Sequence, residues 1–120
     1  MKTESLLICE KLLAKTVKVK IDRPMGSKHP KWGFVYGVNY GYLEDVLAPD
    51  GEGLDVYVLK VNEPVDEFEG VVVAIVHRLD NDDDKLVVLP EGESVTDEEI
   101  EKSVEFQEKW FKHEIVRKSI

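Results

Sequence analysis

The chain has 120 residues, of which 42% are apolar and 34% charged, with 25 acidic against 16 basic residues and a formal net charge of −9. That length and apolar content fit one hydrophobic core, so residues 1–120 read as a single folded domain and not as a disordered chain. The acidity excludes a bare nucleic-acid binder, which needs clustered Lys and Arg to displace counterions, and a single cysteine, Cys9, excludes an internal disulfide or a cysteine zinc site.

Met1 to Thr16 mixes Lys and Glu into its apolar residues. It lacks the continuous apolar run of a signal peptide or membrane span, so a cytoplasmic location is expected and no membrane partner. A buried Cys9 thiol suits that reducing compartment. Leu6 to Ala14 fits a short amphipathic helix or an edge strand equally well. Val17 to Asp22 alternates apolar and polar residues, the period of a half-buried strand. Pro24, Gly26 and Pro30 then impose an irregular segment, and Trp32 to Tyr42 is rich in aromatic residues and glycine.

Leu54 to Val61, Val71 to His77 and Lys85 to Leu89 read as strands, the second a central one. Pro90 and Gly92 end the last of them. Thr96-Asp97-Glu98-Glu99 is a capping box with acidic residues in the first turn. Ile100, Val104, Phe111 and Ile115 follow at helical spacing, which predicts one C-terminal amphipathic helix. Short strands followed by a helix predict a mainly β domain, a small barrel with the helix on its flank.

Two acidic clusters stand at the ends of these apolar runs. Asp50-Gly51-Glu52-Gly53-Leu54-Asp55 puts three carboxylates before a strand. Asp50 and Glu52 share a parity there, and Asp55 joins them only if Gly51 and Gly53 let the chain bend. Asp80-Asn81-Asp82-Asp83-Asp84-Lys85 adds a second oxygen-rich set beside a lysine. Hard divalent cations and phosphates ask for this chemistry, and cations can mediate between an acidic site and a phosphate compound. An acidic turn and a solvated hairpin tip are the plainer readings of the same residues. A calcium loop starting at Asp80 is disfavoured, because Lys85 stands where that loop needs glycine.

Other familiar motifs are missing. There is no phosphate loop of the Gly-x-x-x-x-Gly-Lys type and no dinucleotide fingerprint. His113-Glu114-Ile115-Val116-Arg117 starts like a zinc-protease helix but lacks the second imidazole. His29 and His77 read as structural or solvent-facing and not as catalytic.

Four segments in order give the chain a resemblance to the soluble (family I) inorganic pyrophosphatases. Asp22-Arg23-Pro24-Met25-Gly26-Ser27 resembles the family's Glu-Ile-Pro-x-Gly-Ser stretch. Tyr36-Gly37-Val38-Asn39-Tyr40-Gly41-Tyr42 resembles its Tyr-Pro-x-Asn-Tyr-Gly-Phe segment. Asp50 to Asp55 follows Asp-x-Asp-Pro-x-Asp, and Asp82-Asp83-Asp84-Lys85 is similar to Glu-Asp-x-Lys.

The resemblance implies a five-stranded, oligonucleotide-binding-like barrel with two or more magnesium ions at its mouth, or manganese in their place. It implies pyrophosphate hydrolysis by a metal-activated water. Asp50, Asp55 and Asp83 would hold the first metals, with Asp80, Asp82 and Asp22 as further ligands. Glu52 would accept the proton from water, and Lys85, Tyr36 and Tyr40 would hold phosphate oxygens. The stretch between Ser27 and Tyr36 is shorter than in the family and lacks its lysine and arginine elements. Lys28, Lys31, Arg23 and Arg78 are candidate stand-ins, and Lys112 is the candidate from the C-terminal segment. The resemblance also implies a homo-oligomer. The alternatives are a hydrolase of another phosphoanhydride and a non-catalytic metal- or phosphate-binding relative.

Overall fold

In the computed structural model, which describes residues 2–118, the alternation of Val17 to Asp22 belongs to β1 (Thr16–Arg23). Its Val19 points inward and Lys18 and Lys20 face solvent. Ahead of it lies α1 (Glu4–Glu10), whose N-cap Thr3 accepts a hydrogen bond from Leu6 N. The segment open to either helix or strand is therefore helical at its start. β2 (Asn39–Leu47), β3 (Gly53–Val58), β4 (Glu67–Arg78), β5 (Lys85–Leu89), α2 (Asp97–Glu108) and β6 (His113–Val116) complete the order.

β1 pairs with β2, β2 with β3, β3 with β5, β5 with β4, and β4 returns to β1. The result is a closed five-stranded barrel, as expected, with β3–β5 its one parallel pairing. β1 and β2 cross at a bulge where Gly41 lies opposite Ile21. A Cβ on Gly41 would stand 1.8 Å from the Lys20 carbonyl oxygen, so no other residue fits there.

Two apolar clusters explain why β3, β4 and β5 read as near-continuous apolar runs. Val56, Val58, Val72, Ile75, Leu86 and Val88 point into the barrel with Val19, Leu43 and Leu54, and α1 closes that interior with Leu6 and Cys9. On the outer face of the same wall Tyr57, Ala74, Val76, Val87 and Leu89 lie beneath Ile100 and Val104 of α2. A wall covered on both faces needs apolar residues at both parities. Cys9 is wholly buried, and burial foremost pushes its thiol up to about 12, so it behaves as a small hydrophobe.

The predicted C-terminal helix requires one correction. The capping box at Thr96 forms as read, but α2 stops at Glu108, and His113–Val116 is a strand that extends the sheet along β4 with Glu114 opposite His77. Phe111 and Ile115 therefore lie beyond the helix. The spacing was coincidental: β-branched Ile115 and Val116 follow a turn and pair with β4 instead. Among the described residues no helix is long and apolar enough to cross a membrane.

Candidate active site

Sheet register brings the site together. Val56 of β3 lies beside Leu86 of β5, so Asp55 and Lys85 become neighbours. Lys85 is almost fully buried, yet its Nζ donates to Asp55 Oδ2 at 2.7 Å and to Asp83 Oδ1 at 2.9 Å. Both carboxylates keep a third or more of their side-chain surface in solvent. Burial works against the Lys85 ammonium, but the Tyr40 oxygen and the two carboxylates outweigh it and hold the lysine charged well above its ordinary range. Burial pushes the Tyr40 phenol up, with the Lys85 ammonium opposing.

Behind Lys85 lies a buried polar network. Glu108, with no exposed surface, accepts from Arg78 Nε at 3.0 Å, from Arg78 Nη2 at 2.9 Å and from the Tyr57 hydroxyl at 2.6 Å. Arg78 Nη1 reaches on to Asp83 Oδ2 at 3.2 Å, and Phe111 lies against the guanidinium at 3.7 Å. Arg78 thus ties Asp83 to the end of α2 by a charge-assisted, forked contact. Gln107 donates to the Tyr57 oxygen at 2.6 Å, and the Tyr36 hydroxyl donates to Gln107 Oε1 at 3.3 Å. Tyr36 and Tyr40 pack ring to ring at 5.3 Å.

The segment expected to be irregular between β1 and β2 carries a tight hairpin. Lys28 and Val35 bridge, His29 N donates to the Phe34 carbonyl, and His29 Nδ1 accepts from the backbone of Lys31 and Trp32. His29 is structural, as read, with its proton on Nε2. His77 is buried and its Nδ1 meets Asp84, whose backbone N–H in turn donates to Ser5 Oγ. The hairpin, Tyr40, Arg78, Asp83, Lys85 and the end of α2 enclose a cavity of about 750 Å³.

The sequence profile of inorganic pyrophosphatases matches residues 9–117. The chain belongs to the inorganic pyrophosphatase family, and with it to the hydrolases. Its fold is that of solved pyrophosphatases from Ehrlichia chaffeensis (TM-score 0.66, 18% identity, covering 85% of each chain) and Thermus thermophilus (TM-score 0.59, 20% identity, 86% of this chain and 82% of that one). The Helicobacter pylori enzyme is similar at a TM-score of 0.67 and 16% identity, over 86% of this chain and 85% of that one. No curated protein matches the chain.

Within this pyrophosphatase fold the predicted residues separate into two groups. Asp83, Lys85, Tyr40 and Arg78 line the cavity, and Asp55 and Tyr36 join them through Lys85 and Tyr40. Asp22 and Arg23 adjoin them: the charges of both reach the Tyr36 phenol, and Asp55's charge reaches Asp22. Asp50 and Glu52 are exposed and bond within their own turn, Asp50 Oδ1 accepting from Glu52 N at 2.9 Å with Gly51 at φ +86°. Asp82 turns toward α1 and accepts from Ser5 N, while Asp80, Lys28 and Lys112 are exposed, with no side-chain partner among the described residues. Glu108, Tyr57 and Gln107 escaped the sequence reading. A signal existed for Glu108, which follows Ile100 and Val104 at i+4 on the buried stripe of α2. A carboxylate there, at the negative end of the helix dipole, needs a cation to face.

The donor chemistry of Asp22, Asp55 and Asp83 is that of a hard cation, all oxygen and no sulfur. Among the described residues no three acidic, histidine or cysteine side chains converge into a ready cage. Magnesium is commonly held by one or two carboxylates together with substrate phosphates and water. The half-exposed Asp55 and Asp83 fit that mode.

Burial foremost raises the Asp22 carboxyl above its ordinary range, with Arg23 opposing and the Asp55 charge adding to the rise. A carboxyl whose pKa is higher folded than unfolded binds its proton more tightly in the native state. Stability then falls as pH rises from the unfolded value through the folded one. Asp22→Asn should therefore show a higher Tm than the parent protein at neutral pH, and the advantage should vanish below the ordinary carboxylate range. Thermal unfolding followed by circular dichroism across that interval checks it.

Proposed function

We propose that the chain hydrolyses inorganic pyrophosphate to two phosphates with magnesium bound at Asp55 and Asp83. The observation that carries this reading is the buried Lys85 ammonium held between those carboxylates on a cavity floor. A charge so fixed is pre-organised for a phosphate oxygen and needs no rearrangement as negative charge grows on it. Asp22, Asp50, Asp80 and Asp82 are the further ligand candidates, and manganese can replace magnesium in an all-oxygen site. When bound, such a cation lowers the pKa of a coordinated water and neutralises phosphate charge.

The protein's own groups do the rest. Lys85 and the Tyr40 and Tyr36 hydroxyls hold phosphate oxygens, and Arg23, Lys28 and Lys112 are the further candidate cations. Arg78 is committed to Glu108 and Asp83, so it positions Asp83 and contributes field more than free donors. Glu52, on the exposed turn before β3 and outside the cluster around Lys85, is the candidate acceptor for the proton of the attacking water. The water oxygen bonds one phosphorus, the bridging P–O bond breaks, and the second phosphate leaves.

The lone, buried Cys9 suits a reducing, cytoplasmic setting, and the outer edge of β6 offers unpaired backbone groups that support self-association. Phosphate release from pyrophosphate, tripolyphosphate and a nucleoside triphosphate, with and without millimolar magnesium, tests the proposal. Magnesium-dependent release fastest from pyrophosphate is expected. Calorimetric binding without release would make the chain a non-catalytic relative.

A further inference from the structure

The cavity above Lys85 has a composition that pyrophosphate alone does not explain. Its volume, about 750 Å³, lies in the range of roughly 300–1,000 Å³ typical of sites for drug-sized organic ligands. Lys85, Arg78, Lys109 and Asp83 line it, Lys85 being held by Asp55 and Asp83 and Arg78 by Glu108 and Asp83. Its wall is aromatic. Trp110 packs on Phe34 at 5.6 Å between ring centres, and Trp32 joins the same wall through His29.

Both tryptophans leave more than half their surface exposed, Trp32 67% and Trp110 58%. Two exposed indoles beside a buried ammonium make a costly surface for an ion with no apolar part. They suit a ligand with a phosphoanhydride at one end and a planar ring at the other. Bases stack on indole faces whatever their identity, because every base has a π-face.

We propose that this cavity binds nucleoside diphosphates, the anhydride on Lys85 and the base on the wall formed by Trp32 and Trp110. The proposal rests on the phosphate-binding role given above to Lys85. The bond broken would be the one between the two phosphorus centres. Water adds its oxygen to the terminal phosphorus, the bridging P–O bond cleaves, and a nucleoside monophosphate and orthophosphate depart.

Trp32 and Trp110 are the chain's two tryptophans, so emission excited selectively at tryptophan, beyond the absorption of the four tyrosines, reports on this wall. We would titrate the full chain, with magnesium, using α,β-methylene ADP and, separately, methylene diphosphonate, neither of which turns over at its bridging carbon. The nucleotide analogue should bind more tightly and shift the emission. Trp110→Ala and Trp32→Ala, each read through the remaining tryptophan, should lower the ratio of nucleotide to diphosphonate affinity by about 5- to 100-fold. Diphosphonate binding without nucleotide preference would overturn this inference and leave the pyrophosphatase proposal standing, as would a ratio unmoved in both variants. An emission shift that tracks protein concentration and not ligand would assign the wall to contact between copies, which also overturns it. Binding of neither compound would bring down both.

Discussion

Lys85→Met should slow phosphate release by about a hundred- to a thousandfold while the protein stays folded. The rate loss follows from removing a fixed positive donor from the position where phosphate charge develops, the effect seen when one preorganised donor is deleted from a reaction centre. Stability responds differently. Methionine is unbranched and apolar with nearly the reach of lysine, and it enters a pocket already lined by the ring of Tyr40 and the barrel wall. Asp55 and Asp83, which lose the ammonium, are each a third or more exposed, so water replaces their partner. We therefore expect Tm to move by only a few degrees. Initial rates with saturating magnesium, measured beside a thermal melt, separate the two effects. Loss of rate with a collapse of Tm would make Lys85 a structural residue and not a phosphate ligand.

Glu108→Ala should do the reverse, with its main cost in stability. The variant leaves the Arg78 guanidinium buried with one remaining ionic partner, Asp83 at 3.2 Å, beside the Phe111 ring, and takes an acceptor from the Tyr57 hydroxyl. Breaking one side of a buried pair costs about 3–5 kcal/mol, which for a domain of this size is a fall in Tm of roughly 10–20 °C. Replacing both partners together, Arg78→Leu with Glu108→Leu, removes the unpaired charge and should recover much of that loss. A Tm in Glu108→Ala within a few degrees of the parent would show that water reaches Arg78 and that the network is not closed. The double variant should remain slow in catalysis, since Asp83 then lacks the forked arginine that holds it.

These two residues mark where the sequence was legible and where it was not. Lys85 stood out because it opens an apolar run directly after an acidic cluster, and local pattern suffices for that. β1 and β5 were legible for the same reason, one by alternation and one by an unbroken apolar stretch. β2 was hidden: Tyr40, Gly41 and Tyr42 read only as part of a segment rich in aromatic residues and glycine, and their strand character comes from pairing with β1 and β3. The end of α2 misled because Phe111 and Ile115 fall at helical intervals by chance, and no proline or glycine marks the stop.

Among the acidic residues the limit was register. Asp50, Glu52, Asp55, Asp80, Asp82 and Asp83 carry one functional group, and the five aspartates differ in sequence only by position. Which of them meets Lys85 is decided by the parallel pairing of β3 with β5 and by the arginine contact to Asp83. Both are long-range facts. The tryptophan wall was invisible for a related reason, since Trp32 and Trp110 are far apart in the chain and join the same wall only through the hairpin of Lys28 to Val35 and the turn after α2.

The most direct test compares phosphate release from pyrophosphate by the parent protein and by Asp55→Asn, each with and without millimolar magnesium. Magnesium-dependent release by the parent, lost in Asp55→Asn with its Tm preserved, is the result predicted here. Undiminished release from Asp55→Asn, or release indifferent to magnesium, would contradict the assignment of catalysis to the carboxylates around Lys85.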